Sequence, residues 1–204
     1  MEQIFSVLSA LVEERATDLI DDILTRRALD FFEKEAPELV AAVIPNIISV
    51  TQLTEVLRGL TRERVSIRHF DMIMQAIAEA GPKAANERVL LEEVRIALKH
   101  IIRHRFASVE GKIPAIVLEP GLDVALTRCE REQQPLDVDL VQFIDDAQRR
   151  VVNSEAVIVV SKGSRRLLLE CLRLRGSSRV VLAHEEIGDE YVLEVVGRVQ
   201  VEDS

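Results

Sequence analysis

The chain has 204 residues, of which 48% are hydrophobic and 3% aromatic, and it contains no tryptophan. Its formal net charge is −9, from 26 lysines and arginines against 35 aspartates and glutamates. This length can supply two small cores, whereas the few aromatic rings argue against a protein that stacks bases and the acidic balance argues against one that binds duplex DNA through its phosphates.

The cysteines and the apolar windows indicate a soluble, cytoplasmic chain. Cys129 and Cys171 lie in apolar, helical patterns without the spacing of a metal site or a redox motif, which predicts two reduced, buried thiols. The most apolar stretches are short and interrupted by proline, so neither a membrane span nor a signal peptide is predicted.

The first helices follow from apolar residues at three- and four-residue spacing. Over 11–34 this spacing gives an apolar stripe opposite acidic residues, and it predicts one long helix or two in tandem. A further helix is predicted over 37–44, because Pro37 suits a first helical turn and Pro45 disfavours helix in the residue before it.

Capping signals predict the next two helices. Ser49 and Gln52 have the spacing of a capping box, and they predict a helix that ends near Thr61. Ser66 is predicted to be the N-cap of the following helix, which Gly81 and Pro82 stop. Together these elements form a helix-turn-helix-like pair.

The strongest periodicity predicts a single helix over 86–106. Its apolar residues lie in register over the whole range, which indicates a surface helix with one buried face. The opposite face carries a basic stripe at four-residue spacing, formed by Arg95, Lys99 and Arg103, and a stripe of this kind is predicted to be solvated.

After a linker candidate at 108–114 the pattern changes from all-helical to mixed. The predicted elements are a strand over 115–120, helices over 121–132 and 138–152, a strand over 156–161, a helix over 164–174, and strands over 179–183 and 191–201. The predicted fold class is α+β, with an all-helical, helix-turn-helix-like bundle followed by a small α/β unit of order βααβαββ.

Two local patterns could carry chemistry, and neither meets its full signature. His100 and His104 have the i, i+4 spacing of metal ligands but lack the glutamate of H-E-x-x-H. Residues 161–164 lie between a strand and a helix, where a nucleotide phosphate could bind, but their single glycine meets neither phosphate-loop pattern. A capped helix start, with Ser161 or Ser164 as N-cap, is favoured, and the sequence predicts no enzyme, metal or cofactor.

A DNA-binding regulator is the alternative from another functional class. It would insert the helix at 66–80 into the major groove, but only Arg68 and His69 near the start of that helix suit contacts to bases. Because residues 51–80 are neutral overall, packing or protein binding is favoured over DNA binding.

Longer stretches of the chain resemble a known family. The segments "LTEVLRGLTRERVSIRHFDMIMQAIAEAG", "LLEEVRIALKHIIRHRF", "AIVLEPGLDVAL" and "VIVVSKGSRRLLLECLR" are similar, in order and spacing, to the cytoplasmic part of the export-gate proteins of type III secretion systems, the FHIPEP family. The resemblance covers nearly the whole chain from about Val12.

This resemblance implies a C-terminal cytoplasmic fragment of such a gate. Residues 1–35 would be a helix left from a preceding subdomain, 36–110 a helical subdomain and 111–204 the α/β subdomain. The implied function is non-enzymatic protein secretion at the cytoplasmic face of the bacterial inner membrane, with the membrane reached only through an N-terminal domain that this sequence lacks. The implied partners are other copies in a nonameric ring, export chaperone–substrate complexes and a gatekeeper protein, and not nucleic acid.

Charge patterning suggests where copies of the chain would meet. Residues 1–50 carry 10 acidic and 4 basic side chains, whereas 51–110 carry 8 acidic and 10 basic ones. We expect the acidic first helix of one copy to face the basic stripe of its neighbour through weak, salt-sensitive contacts. The candidate self-assembly residues are Asp18, Asp21, Asp22, Arg88, Arg95, Lys99 and Arg103.

Overall fold

The computed structural model describes residues 17, 19–189 and 191–200. The chain divides into two compact units, residues 1–101 and 102–204. This division falls within a helix, Lys99–Phe106, ahead of the boundary that the sequence predicts between 110 and 111. The separation of 1–35 from the rest of the helical part stays a prediction.

The first unit is built of helices. They are α1 (Asp22–Phe32), α2 (Pro37–Val43), α3 (Val50–Arg62), α4 (Phe70–Ala80), α5 (Glu87–Ala97) and the start of α6 (Lys99–Phe106), with a 3-10 turn, Gly81–Lys83, after α4. Both α3 and α4 pack against α5. The core between these helices is largely apolar, and its buried side chains include Leu53, Leu60, Ile73, Met74, Ile77, Leu90 and Val94.

The capping prediction is confirmed for α3 and wrong for α4. Ser49 Oγ accepts a hydrogen bond from the Gln52 backbone N–H, and Gln52 Oε1 accepts one from the Ser49 N–H, so the capping box is complete. Ser66 caps no helix, because the chain stays non-helical for the next three residues and α4 begins only at Phe70.

The cause of the late start of α4 is the way in which α3 ends. Arg64 adopts the left-handed conformation with φ 59°. The Val65 N–H donates to the Leu60 carbonyl at 2.8 Å and the Arg64 N–H to the Thr61 carbonyl at 2.9 Å, which is the Schellman pattern. The resulting connection, residues 63–69, is longer than the turn of about three or four residues in DNA-binding helix-turn-helix motifs.

The helix predicted over 86–106 is two helices in the structure. Asn86 caps the start of α5 through its side chain, but α5 ends before Leu98 and α6 begins after it. Four-residue spacing makes one continuous face only along an unbroken helix. The predicted basic stripe is therefore divided between two helices.

The second unit is built around a four-stranded sheet in which every pair is parallel. Its elements are β1 (Lys112–Leu118), α7 (Pro120–Glu132), α8 (Val138–Arg149), β2 (Val157–Val160), α9 (Lys162–Leu174), β3 (Val181–Ala183), α10 (His184–Ile187) and β4 (Val192–Val199). The strand order is β3-β2-β1-β4. The predicted fold class is confirmed, and the element order differs only by α10, whose single turn gives no periodicity to detect.

The core of the second unit lies between this sheet and its helices. All four residues of β2 are buried, as expected for a parallel strand that is covered on both faces. Side chains from α7, α8 and α9 complete one cluster with the strands, and its fully buried members include Ile116, Leu126, Ile144, Ile158 and Leu168. The edge strand β4 is different, because Val199 is its only buried residue.

Two polar clusters fix the end of α8. The Asp145 carboxylate accepts hydrogen bonds from Gln148 Nε2 at 2.8 Å, Arg149 Nε at 3.1 Å and Arg175 Nε at 3.3 Å. Burial alone would raise the pKa of Asp145, but these hydrogen bonds outweigh it and hold the pKa below its usual range. The ionised carboxylate therefore ties α8 to the turn after α9.

Arg179 binds the segment that follows α8. Its guanidinium donates to Gln148 Oε1 at 2.7 Å and to the backbone carbonyls of Ala156 at 2.8 Å, Asn153 at 2.9 Å and Val151 at 3.3 Å. Carbonyls after a helix lack partners within the helix, so these hydrogen bonds satisfy groups that would otherwise need water. Burial lowers the pKa of Arg179 from its ordinary value.

We expect Gly163→Ala to destabilise the protein, although alanine normally stabilises a helix. A Cβ at Gly163 in α9 would lie 2.8 Å from Thr127 Cγ2 of α7, closer than side chains pack. The substitution should lower the free energy of unfolding by about 1–2 kcal/mol, measured by urea denaturation. Thr127→Ser in the same background removes Cγ2 and should restore most of this loss.

Gly121→Ala in α7 is the matched control for this prediction. No atom lies within 4 Å of a Cβ at Gly121, so the substitution should raise the free energy of unfolding by about 0.5–1 kcal/mol. If both alanine variants were as stable as each other, the close approach of α7 and α9 would not be the reason for a glycine at 163.

Candidate functional site

A largely apolar hollow in the first unit lies beside α1, and we name it the α1 groove. It encloses about 430 Å³. It is lined by residues of α1, by Leu57 of α3, by Ile67 of the connection to α4 and by Phe70, the first residue of α4. Three charged side chains, Glu35, Arg68 and Asp71, also line it.

The position of α1 is fixed by contacts on its inner face. Thr25 and Phe32 are buried, and the Thr54 hydroxyl of α3 donates to Thr25 Oγ1 at 2.9 Å. The ring of Phe32 meets the ring of Phe70 edge to face, with 5.4 Å between their centroids. Asp21 caps the helix by accepting a hydrogen bond from the Leu24 N–H at 2.7 Å.

The outer face of α1 leaves large apolar side chains in solvent. Phe31 is 66% exposed, Ile23 is 63% exposed and Leu24 is 46% exposed. Single exposed apolar residues are common, but several on one helix beside an apolar hollow indicate an interaction surface. Most of the lining residues that the structure describes are apolar, so the groove suits the binding of apolar side chains.

Two residues of the predicted basic stripe are buried, so their interpretation as solvated charges is wrong. Arg95 is 1% exposed, and its Nη1 lies 3.0 Å from Glu63 Oε2. Arg103 is 5% exposed, donates to the Ile187 carbonyl at 3.4 Å and packs over the ring of Tyr191 at 4.9 Å from its centroid. Each guanidinium contacts residues of the unit to which it belongs.

The other predicted self-assembly residues differ in their exposure. Asp18 lies outside the described residues. Asp22 is half-buried and accepts a hydrogen bond from the Thr51 hydroxyl at 2.7 Å. The side chains that reach solvent are Asp21 and Arg88, which are exposed, and Lys99, which is half-exposed.

A carboxylate of the same chain fills the position where the sequence could have held a phosphate. The Ser161 N–H donates to Asp123 Oδ2 at 2.9 Å and the Ser161 hydroxyl to Asp123 Oδ1 at 3.0 Å. The Ser164 hydroxyl also donates to Asp123, and Thr127 is hydrogen-bonded to Ser161 at 2.9 Å. Since the start of a helix attracts one anion, Asp123 supplies it from α7 and a nucleotide phosphate would have to displace it. Ser161 occupies the predicted N-cap position, but its hydroxyl bonds to Asp123 instead of the helix backbone.

The cysteines and histidines form no reactive centre in the described part of the chain. Cys129 and Cys171 are free thiols that are half-buried, less than predicted. Burial, and to a lesser extent Glu170 and Glu130, raise the pKa of Cys171, which disfavours the reactive thiolate. His100 and His104 are exposed on α6, and nowhere among the described residues do three potential metal ligands converge.

Membrane insertion finds no support within the described ranges. None of the helices there combines the length and the apolar composition that a bilayer crossing needs.

Comparison with known proteins gives a family match over most of the chain. A model described as the FHIPEP family matches residues 1–192. The flagellar biosynthesis protein FlhA of Yersinia enterocolitica is 29% identical over 200 residues, which cover 95% of this chain and 29% of that protein. Protein MxiA of Shigella flexneri is 26% identical over 183 residues, which cover 84% of this chain and 26% of that protein. The chain therefore spans less than a third of the length of these relatives.

Solved structures share the fold of both units. The structure of Shigella flexneri MxiA superposes with a TM-score of 0.88 at 24% identity, covering 97% of this chain and 65% of that one. The nonameric EscV cytosolic domain from the type III secretion system superposes with a TM-score of 0.81 at 25% identity, covering 98% of this chain and 62% of that one.

Two neighbouring phenylalanines test the description of the α1 groove. Phe32→Ala should lower the free energy of unfolding by about 3 kcal/mol, because the ring is buried against Phe70. Phe31→Ala should change it by less than about 1 kcal/mol but reduce the fluorescence of a bound hydrophobic dye. Chemical denaturation and dye titration of the two variants measure this, and equal losses of stability would contradict the assignment of Phe31 to an open groove.

Proposed function

Because the chain belongs to the FHIPEP family, we propose that it is part of an export gate of a bacterial type III secretion system. It acts in protein secretion as a non-enzymatic module for docking and assembly. The observation that carries this proposal is the family match over residues 1–192. The likeness to a cytosolic domain of the type III secretion system supports it.

We further propose that this module works at the cytoplasmic face of the inner membrane, with another part of the same gate in the membrane. Its partners would be other copies of the gate, in a ring like the nonameric one described for EscV, and export chaperone–substrate complexes or a gatekeeper. The α1 groove favours such docking, because Leu24 and Phe31 in its lining offer apolar area that a protein partner would remove from water, and Ile23 adds exposed apolar area on the same helix.

Contacts between copies are proposed to use the charges that remain in solvent. Arg88 and Lys99 are the basic residues of the predicted surface that are not buried, and Asp21 is its exposed acidic residue. Arg95 and Arg103 are excluded from this role, because their guanidiniums are buried. Exposed ion pairs contribute little each, so the assembly is expected to be weak and sensitive to salt.

Two rival functions are less well supported. A DNA-binding regulator would need a recognition helix that starts soon after a tight turn, but the connection over 63–69 is long and α4 begins at Phe70. A nucleotide-binding enzyme would need a free phosphate position at the start of α9, where Asp123 already accepts three hydrogen bonds from Ser161 and Ser164.

Loss of the gene tests the proposed function directly. Deletion of the coding region in its source organism should remove a set of proteins from the culture medium, or abolish flagellar filaments, with total protein synthesis unchanged. Restoring the wild-type gene should restore both. Mass spectrometry of the medium and electron microscopy of the cells measure this, and an unaltered set of secreted proteins with normal filaments would refute the proposal.

A charge-reversal variant tests the assembly surface. Arg88→Glu combined with Lys99→Glu should weaken self-association about tenfold at low salt and leave the melting temperature unchanged. Arg131→Glu is the matched control, since its side chain is 75% exposed and lies in the second unit, and it should associate like the wild type. Light scattering after size-exclusion chromatography at low and high salt measures both. Association that is unchanged in the double variant would eliminate this surface.

A further inference from the structure

The outer strand β4 lacks the cover that parallel strands usually have. Within the described residues it pairs with β1 alone, so one row of its backbone N–H and C=O groups points away from the sheet. Natural proteins protect such edges, and the opposite edge strand β3 is only three residues long and entirely buried. In contrast, β4 has eight residues, of which one is buried.

The side chains of β4 include several apolar residues in solvent. Val192 is 64% exposed, Val195 is 43% exposed and Val196 is 37% exposed. Val196 is the extra residue of a β-bulge, because the register shifts by one position opposite Ala115 and Ile116. Bulges at sheet edges redirect side chains. An edge that keeps exposed valines is an unprotected template for another strand.

A hollow of about 880 Å³ lies beside this edge, between β4 and the segment that follows α8. Val151 approaches β4 so closely that a Cβ at Gly197 would lie 2.6 Å from Val151 Cγ2. Phe143 and Val196 add apolar surface to the lining. Since Arg179 holds the carbonyls of Val151 and Asn153, this wall of the hollow is preformed.

The charge of the hollow favours a ligand of opposite charge. Its described lining has two guanidiniums, Arg150 and Arg198, and no carboxylate. Both arginines are exposed, and neither is in an ion pair with a described residue. Glu194 is the one carboxylate of the described β4, and it lies toward the start of the strand, outside the lining. Electrostatic complementarity therefore favours carboxylates at the Val196 end.

We propose that β4 binds an extended, acidic segment of another protein as an added strand. The backbone of the segment would pair with the free edge, its apolar side chains would cover the exposed valines and enter the hollow, and its carboxylates would meet Arg150 and Arg198. In this mode of recognition, main-chain hydrogen bonds supply affinity and the side-chain pockets supply specificity. A second copy of this chain fits less well, because its own β4 would bring a further Arg198, with Arg150 beside it, to an edge that already has both arginines. The proposal does not depend on a function in secretion.

A designed peptide tests this proposal on the full chain. The probe has about eight residues that alternate valine with glutamate, with both termini blocked, a length that matches a typical strand. One comparison peptide has lysine in place of glutamate, and another has N-methylated valines, which cannot donate backbone hydrogen bonds. Binding is measured by calorimetry and by amide chemical shifts. The glutamate peptide should bind with Kd on the order of 10–100 µM and shift the amides of β4, and each comparison peptide should bind at least about tenfold more weakly.

Charge reversal on the protein completes the test. Arg150→Glu combined with Arg198→Glu should weaken binding of the glutamate peptide about tenfold or more, with an unchanged melting temperature, whereas Arg131→Glu should leave binding unaltered. The proposal is overturned if the glutamate and lysine peptides bind alike, if the shifted amides lie outside β4, or if no saturable binding occurs. It is also overturned if β4 amides shift with protein concentration in the absence of peptide and the peptide does not compete, because a second copy would then occupy the edge.

Discussion

The first unit depends on the buried ion pair between Arg95 and Glu63. Glu63 is the C-cap of α3, in the turn that sends the chain toward α4, and Arg95 reaches it from α5 with a 3.0 Å contact. Breaking a buried ion pair by removal of one partner typically costs about 3–5 kcal/mol. The pair lies at the start of the connection that supplies Ile67 to the α1 groove and leads to Phe70, so an internal electrostatic contact helps to position an external apolar surface.

In the second unit, too, several charged side chains are bound by other groups of the fold. Asp123 fills the anion position at the start of α9, Asp145 is held by three donors, and Arg179 is surrounded by neutral acceptors. These groups connect helices and loops of the fold. Arg150 and Arg198, in contrast, are exposed beside the poorly covered β4. Their guanidiniums are therefore open to a partner, unlike the side chains of the polar clusters.

Sequence patterns predicted the elements of the fold well, because each pattern reflects a local cause. The capping box at Ser49 and the apolar runs of the parallel strands depend on neighbours within a few residues or on burial of a whole segment. The predicted start of α4 was wrong, because Ser66 can cap a helix only where the chain can turn into one. The left-handed conformation of Arg64 ends α3 in a way that delays the next helix. The break at Leu98 was also missed, since apolar residues stay in register across it.

The site was predicted less well, because it depends on contacts between residues that are distant in sequence. Arg95 lies on the polar face of its helix, so its pattern is that of a solvated charge, and only its approach to Glu63 reveals that it is buried. Likewise, the sequence of residues 161–164 has the pattern of an incomplete phosphate loop, and only the structure shows that the Asp123 carboxylate occupies the phosphate position. The apolar spacing over 11–34 predicts a helix with an apolar stripe, but it does not show which side chains of the stripe stay exposed. Phe31 and Phe32 are neighbours in sequence, yet Phe31 is exposed and Phe32 is buried.

The two candidate surfaces differ in the force on which binding would depend, and this difference makes them separable. The α1 groove offers mainly apolar area, and association there would be driven by its removal from water and would tolerate salt. The β4 edge combines backbone hydrogen bonds with two exposed arginines, Arg150 and Arg198, so association there would weaken as salt screens the charges. A partner whose affinity is lost at high ionic strength is therefore better assigned to β4, and one whose affinity persists to α1. Because each surface lies within one unit, this assignment needs no assumption about how the two units are arranged.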